Sequence, residues 1–110
     1  MFEVGGPTAD VFGAIANPVR RALLDSLRTG PQPVHELAAA FAISRPAVSQ
    51  HLRVLRDADL VAEETCGGHR RYRLEPGPLR EVEVWVASYE QFWRDRLVAL
   101  REVLDKGHEA

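Results

Sequence analysis

Residues 44–60, SRPAVSQHLRVLRDADL, decide the fold. Ser44 has the chemistry of an N-cap, and Pro46 is tolerated in a first helical turn, where its missing N–H leaves no bond unmade. Val48, Leu52 and Leu55 then recur at steps of four and three, so they share one face and predict a buried back. Pro46, Ser49, Gln50 and Arg53 follow the same spacing around the other side. Arg45 and Arg56 flank them, and no acid occurs before Asp57. Gln can bond an adenine edge through two hydrogen bonds, Arg a guanine edge, and Ser and Arg both suit phosphate oxygens. An apolar back and such a front are what an element entering the major groove of duplex DNA needs.

Working upstream, Val34 to about Phe41 predicts a short helix with Val34, Leu37 and Ala38 toward the core. Its link to the next helix is only Ala42 to Ser44. Two helices joined so tightly read as a helix-turn-helix over about 34–58. Asn17-Pro18 reads as N-cap and first helical residue of another helix, ended by Gly30-Pro31. There Val19, Leu23, Leu24 and Leu27 form the apolar stripe, while Arg20, Arg21 and Arg28 are expected to face out. Thr8 is a candidate cap for a short helix to about Ala16, with Val11, Phe12 and Ile15 on one side. Residues 1–7 read as a loose arm, without the basic apolar run of a signal peptide. The helical core is thus expected over 8–60.

Downstream the period changes. Two extended segments surround Gly67-Gly68, a strong hairpin signal, so 61–75 is expected to be a hairpin. Its tip and return strand carry His69, Arg70, Arg71 and Arg73, as in the wing of a winged helix-turn-helix. After Pro76-Gly77-Pro78, Leu79, Val82, Val86, Tyr89, Trp93, Leu97, Leu100 and Leu104 advance in steps of three and four. This predicts one long helix over about 79–105. Trp85, Phe92 and Val103 widen its stripe beyond what a terminal helix of a small monomer buries, and a helix from a second copy is the economical partner.

The chain has 110 residues, a length that fits one domain over 1–110. Its formal net charge is −2, but the distribution is polarised. Between Ser44 and Arg73 six arginines face four acids, whereas from Leu74 onward five basic residues face eight acids. The lone Cys66 excludes an intrachain disulfide and fits a cytoplasmic location. No apolar run approaches membrane-spanning length, so no membrane partner is expected. No nucleophile stands at plausible spacing from a base, and no glycine-rich loop cradles phosphate. Neither an enzyme nor a cofactor is expected.

The segments AIANPVRRALLDSL, VHELAAAFAISRPAVSQHLRVLRDADLV and GGHRRYRL, followed by a long amphipathic helix, together resemble the ArsR/SmtB family of bacterial winged helix-turn-helix repressors. The resemblance covers roughly Val11 to Leu104. It implies a mainly α fold of about five helices with a small β-hairpin wing. It further implies a homodimer joined through the first and last helices, with recognition helices in successive major grooves of double-stranded DNA. Carried over residue by residue, the DNA-reading face is Ser44, Arg45, Ala47, Ser49, Gln50 and Arg53, with His69, Arg70 and Arg71 on the wing. The expected dimer interface comprises Phe12, Val82, Trp85, Val86, Tyr89, Trp93, Leu97 and Leu100.

The chain departs from the metal-sensing members of that family. Where those carry a cysteine-rich motif before the recognition helix, this sequence has HELAAAFA, and its last helix presents Trp85, Tyr89, Phe92 and Trp93 in place of Asp and His ligands. Without thiolates or paired histidines at ligand spacing, no metal site is expected. The expectation is a homodimeric repressor reading an inverted-repeat operator. Three alternatives stay open: a redox sensor acting through Cys66, a regulator with a small-molecule effector held among the last-helix aromatics, and an interaction module that has lost DNA binding. His51 reads as packed beside the DNA backbone or in direct contact with it; His35 and His108 read as solvated.

Overall fold

The first turns of this chain are set by side chains that accept backbone N–H groups. In the computed structural model, which describes residues 10–108, Asp10 Oδ1 accepts the Gly13 N–H at 2.6 Å and starts α1 (Val11–Ile15). The cap expected at Thr8 lies outside the described residues. Asn17 Oδ1 accepts the N–H groups of Val19 and Arg20 at 2.8 and 3.1 Å and opens α2 (Pro18–Ser26), as expected from Asn-Pro. A single 3₁₀ turn, Leu27–Thr29, closes that helix before Gly30.

Arg20 and Arg21 do not simply face out. Arg20 Nε donates to the Ala14 carbonyl at 2.7 Å and Nη2 to the Gly13 carbonyl at 3.2 Å, while Arg21 Nη1 donates to the Ile15 carbonyl at 2.7 Å. An α-helix leaves its last carbonyls without partners in the next turn, and at the end of α1 two guanidiniums from the following helix donate to them.

The helix-turn-helix has the expected bounds to within a residue: α3 is Val34–Phe41 and α4 is Arg45–Asp57. Between them Ala42 takes a left-handed conformation (φ 52°, ψ 37°), and its N–H meets the carbonyls of Ala38 and Ala39. Ser44 Oγ accepts the Ala47 N–H at 3.2 Å, so α4 begins as its sequence predicts. Val48, Leu52 and Leu55 have no solvent exposure. They share the core with Leu23, Leu27, Leu37, Leu60, Val61 and Tyr72, and α4 packs on α2, α3 and β2.

Three antiparallel strands follow the order β1-β3-β2, with β1 at Gln32–Pro33, β2 at Val61–Cys66 and β3 at His69–Leu74. Gly67 and Gly68 both have positive φ (59° and 81°), as a two-residue turn of type I′ requires, and Cys66 therefore faces His69. β1 pairs Gln32 with Tyr72 and Pro33 with Arg71. Two residues carry no period, so this strand leaves no trace in the sequence. Its proline suits an edge, where no N–H is needed.

The described residues up to Arg80 form one compact unit and those from Glu81 onward a second. The single helix expected over 79–105 is two helices, α5 (Leu79–Ala87) and α6 (Glu90–His108). Ser88 explains the break. Its Oγ donates to the Trp85 carbonyl at 2.6 Å, the same carbonyl that accepts the Ser88 N–H, and the backbone turns there before resuming. The apolar stripe keeps its phase across the turn, which is why the sequence shows no interruption. Six α-helices and one 3₁₀ turn thus stand among the described residues, against about five helices expected. None of these helices is long and apolar enough to cross a membrane.

A left-handed alanine is strained where glycine would not be. Ala42→Gly is expected to stabilise the fold by about 0.5–1 kcal/mol, relief of strain outweighing the added freedom of the unfolded chain. An unchanged or lower midpoint in urea unfolding would show that the turn carries no strain.

Candidate nucleic-acid interface

The buried back of α4 leaves its front to solvent. Ser44, Arg45, Pro46, Ser49, Gln50 and Arg53 are exposed, while Ala47 is half-buried. Among the described residues, the side chains of Arg45, Ser49, Gln50 and Arg53 make no hydrogen bond or ion pair within the chain. Ser44 differs, because its hydroxyl oxygen is engaged as the helix cap. The front therefore offers one carboxamide, two guanidiniums and a hydroxyl, all uncommitted, on a single helical face.

His51, at the edge of that face, is half-buried with Nδ1 3.4 Å from Arg20 Nη1. Burial, and then the neighbouring Arg20 charge, hold the imidazole below its ordinary range. The ring is thus packed and hydrogen-bonded within the fold. Arg20 in turn ties α4 to α2 and to the end of α1.

The wing is less freely basic than its sequence suggests. The turn fixes the register Glu63↔Tyr72, Glu64↔Arg71 and Thr65↔Arg70, so acids of β2 lie beside bases of β3. Glu64 holds Arg71 Nη2 at 3.1 Å and Arg73 Nη1 at 2.9 Å. Arg73 Nη2 also reaches Glu75 at 2.7 Å. Glu63 accepts the Tyr72 hydroxyl at 2.7 Å and Arg56 Nη1 at 2.9 Å, and its other oxygen lies 3.6 Å from Arg70 Nε. His69 and Arg70 are exposed at the tip, whereas Arg71 is half-buried. The sequence did contain the signal: once Gly67-Gly68 is the turn, counting outward pairs these residues.

An open hollow of about 360 Å³ lies between the wing and the start of α3, lined by Pro31, Pro33, His35, Glu36, Cys66, His69 and Arg71. Among the described residues, no three His, Cys, Asp or Glu side chains are placed to hold a metal ion. Of the expected interface residues, Phe12, Val82 and Val86 are half-buried, while Trp85, Tyr89, Trp93, Leu97 and Leu100 are exposed. Tyr89 lies against Trp85 and Trp93, with ring centroids 5.4 and 6.5 Å apart.

Residues 17–63, from the cap of α2 through the helix-turn-helix to the start of β2, match a known family model, that of the bacterial regulatory proteins of the arsR family. The chain is 39% identical over 92 residues to the HTH-type transcriptional regulator Rv2034 of Mycobacterium tuberculosis, covering 84% of this chain and 83% of that one. It belongs to the ArsR family. Another relative, the transcriptional repressor SdpR of Bacillus subtilis, is 32% identical over 80 residues, 73% of this chain and 89% of that protein. An ArsR-like transcriptional regulator from Rhodococcus sp. RHA1 superposes with a TM-score of 0.71 at 27% identity, covering 91% of this chain and 92% of that one. The ArsR family and these relatives are transcriptional regulators, not enzymes.

Within this ArsR-family wing, the hydroxyl of Tyr72 is the first cause that holds the Glu63 carboxyl below its usual range; Arg70 and Arg56 add to it, and burial opposes them. A depressed carboxyl stabilises the fold above the ordinary glutamate range, and the stabilisation disappears as pH falls through the depressed value. Tyr72→Phe is expected to cost about 1 kcal/mol near neutral pH, shrinking toward zero in acid. Urea unfolding across this pH range measures it, and a loss independent of pH would show that the hydroxyl does not act through the carboxylate.

Proposed function

We propose that this ArsR-family chain is a homodimeric, sequence-specific DNA-binding repressor, folded as a single winged helix-turn-helix domain and working in the cytoplasm. The observation that carries this reading is the front of α4, where Arg45, Ser49, Gln50 and Arg53 are exposed and uncommitted opposite a fully buried back. Gln50 reads a base edge in the major groove, and Arg45, Ser49 and Arg53 bind bases or phosphates beside it. Ser44 and Ala47 border this contact at the helix start. His69, Arg70 and Arg71 of the wing meet the backbone and the adjacent minor groove.

The second copy packs on the apolar side of α6. Phe92, Trp93, Leu97, Leu100, Val103 and Leu104 are between 50 and 66% exposed, far more apolar surface on one helix than scattered surface residues account for. Phe12 of α1 and Val82, Trp85, Val86 and Tyr89 of the α5–α6 region extend the interface. A two-fold dimer places two copies of α4 on half-sites about one helical turn or a little more apart. Repression by occluding a promoter is supported by the repressor name of the Bacillus relative.

Selection from a random duplex library defines the preferred operator, and failure to enrich any sequence would overturn the reading. On the selected duplex, Gln50→Ala is expected to cost on the order of 1–3 kcal/mol and to relax preference at one position. Equal losses on selected and random DNA would sink its base-reading role. Trp93→Ala or Leu97→Ala is expected to dissociate the dimer in sedimentation velocity; an unchanged dimer would place the interface elsewhere.

A further inference from the structure

One carboxylate joins the end of the recognition helix to the wing. Arg56 belongs to the last turn of α4, Glu63 to β2, and Arg70 and Tyr72 to β3. Glu63 Oε1 takes both the Arg56 guanidinium (2.9 Å) and the Tyr72 hydroxyl (2.7 Å), while Oε2 faces Arg70 Nε at 3.6 Å. Glu63 is half-buried, its side chain 27% exposed, beside the buried Tyr72. The two arginines it holds are open to solvent, their side chains 44 and 71% exposed. Each guanidinium has five N–H donors in a fixed plane, so each keeps donors free for a phosphate while one edge faces Glu63.

We propose that Glu63 is a positioning residue for DNA recognition: its carboxylate sets the helix guanidinium of Arg56 and the wing guanidinium of Arg70 at a fixed separation, and partly neutralises both. The inference rests on the DNA-binding reading above. Two physical consequences follow from the arrangement. Fixed cations meet only a backbone that presents phosphates at the matching spacing, which favours a duplex whose base contacts with α4 are also in register. A partly neutralised cation also gains less from any phosphate it meets by chance, so binding to random sequence is held down. Glu63 thereby raises discrimination at some expense of total affinity.

Glu64 provides the internal control. It pairs with Arg71 and Arg73, both on β3, and ties no helix to the wing. Glu63→Gln and Glu64→Gln remove the same charge, but only the first removes it from the link to α4. In Glu63→Gln the carboxamide oxygen can still accept from the Tyr72 hydroxyl, which keeps the core contact.

The test measures affinity for the selected operator and for a scrambled duplex over a range of salt, using the full chain and both variants. For Glu63→Gln, binding to the scrambled duplex is expected to tighten, and its log–log salt slope to steepen by about 1–2, since each added phosphate contact contributes about 0.9. The operator-over-scrambled ratio is expected to fall several-fold in Glu63→Gln and by clearly less in Glu64→Gln, which frees wing charge without touching the link to α4. Arg56→Gln, an exposed position that opens the same link from the helix side, is expected to lower the ratio as well, and it serves if Glu63→Gln does not fold. A parent-like ratio in Glu63→Gln, or an equal fall in Glu64→Gln, would overturn the role of Glu63 while leaving the DNA-binding reading intact. A parent chain that selects no operator would overturn both.

Discussion

The structure depends on three side chains that see no solvent. Val48, Leu52 and Leu55 fasten α4 to the core formed with α2, α3 and the start of the sheet. Burying an aliphatic side chain of this size is worth about 1.5–3 kcal/mol, so three on one helix outweigh the cost of leaving its other face bare of intrachain contacts. The rotation of α4 is therefore set from behind. A helix held this way can present Arg45, Ser49, Gln50 and Arg53 in one orientation although none of them is braced by a neighbour.

Much of this was legible from residue order. Caps such as Asn17 and Ser44 act within three residues, and helical periods are local, so α2, α3 and α4 follow from composition at short range. The Gly67-Gly68 turn fixes the hairpin in the same way. The exposed front of α4 follows as the complement of its buried back. Contacts across distance were not legible. Arg20 looked like a surface charge because its acceptors are backbone carbonyls of another helix, which have no identity in the sequence. The turn at Ser88 was hidden because serine is unremarkable in a helix until its hydroxyl competes for a carbonyl. The pairing of Glu63 with Arg56 spans a helix end and a strand, and neither residue alone announces the other.

Arg20 links several of these observations. It satisfies the end of α1, stands in the first turn of α2 and touches His51 of α4. The acceptor role at His51 requires a neutral ring, and burial together with the Arg20 charge favours that form. Three helices thus meet at one guanidinium, at the middle of α4, ahead of the last turn where Arg56 meets Glu63.

The order β1-β3-β2 leaves β2 as an open edge of the sheet. Such an edge is a template on which a strand from another molecule can pair, and a basic hairpin gathered on DNA or crowded in solution would bring many such edges together. Here that edge strand carries Glu63 and Glu64 side by side, while the arginines sit on the central strand. Two copies approaching edge to edge would set glutamates against glutamates. The acids that pair with the wing's arginines thus also line its outer strand with like charge, the kind of edge that disfavours recruitment of a further strand, where neither a proline nor a bulge is present.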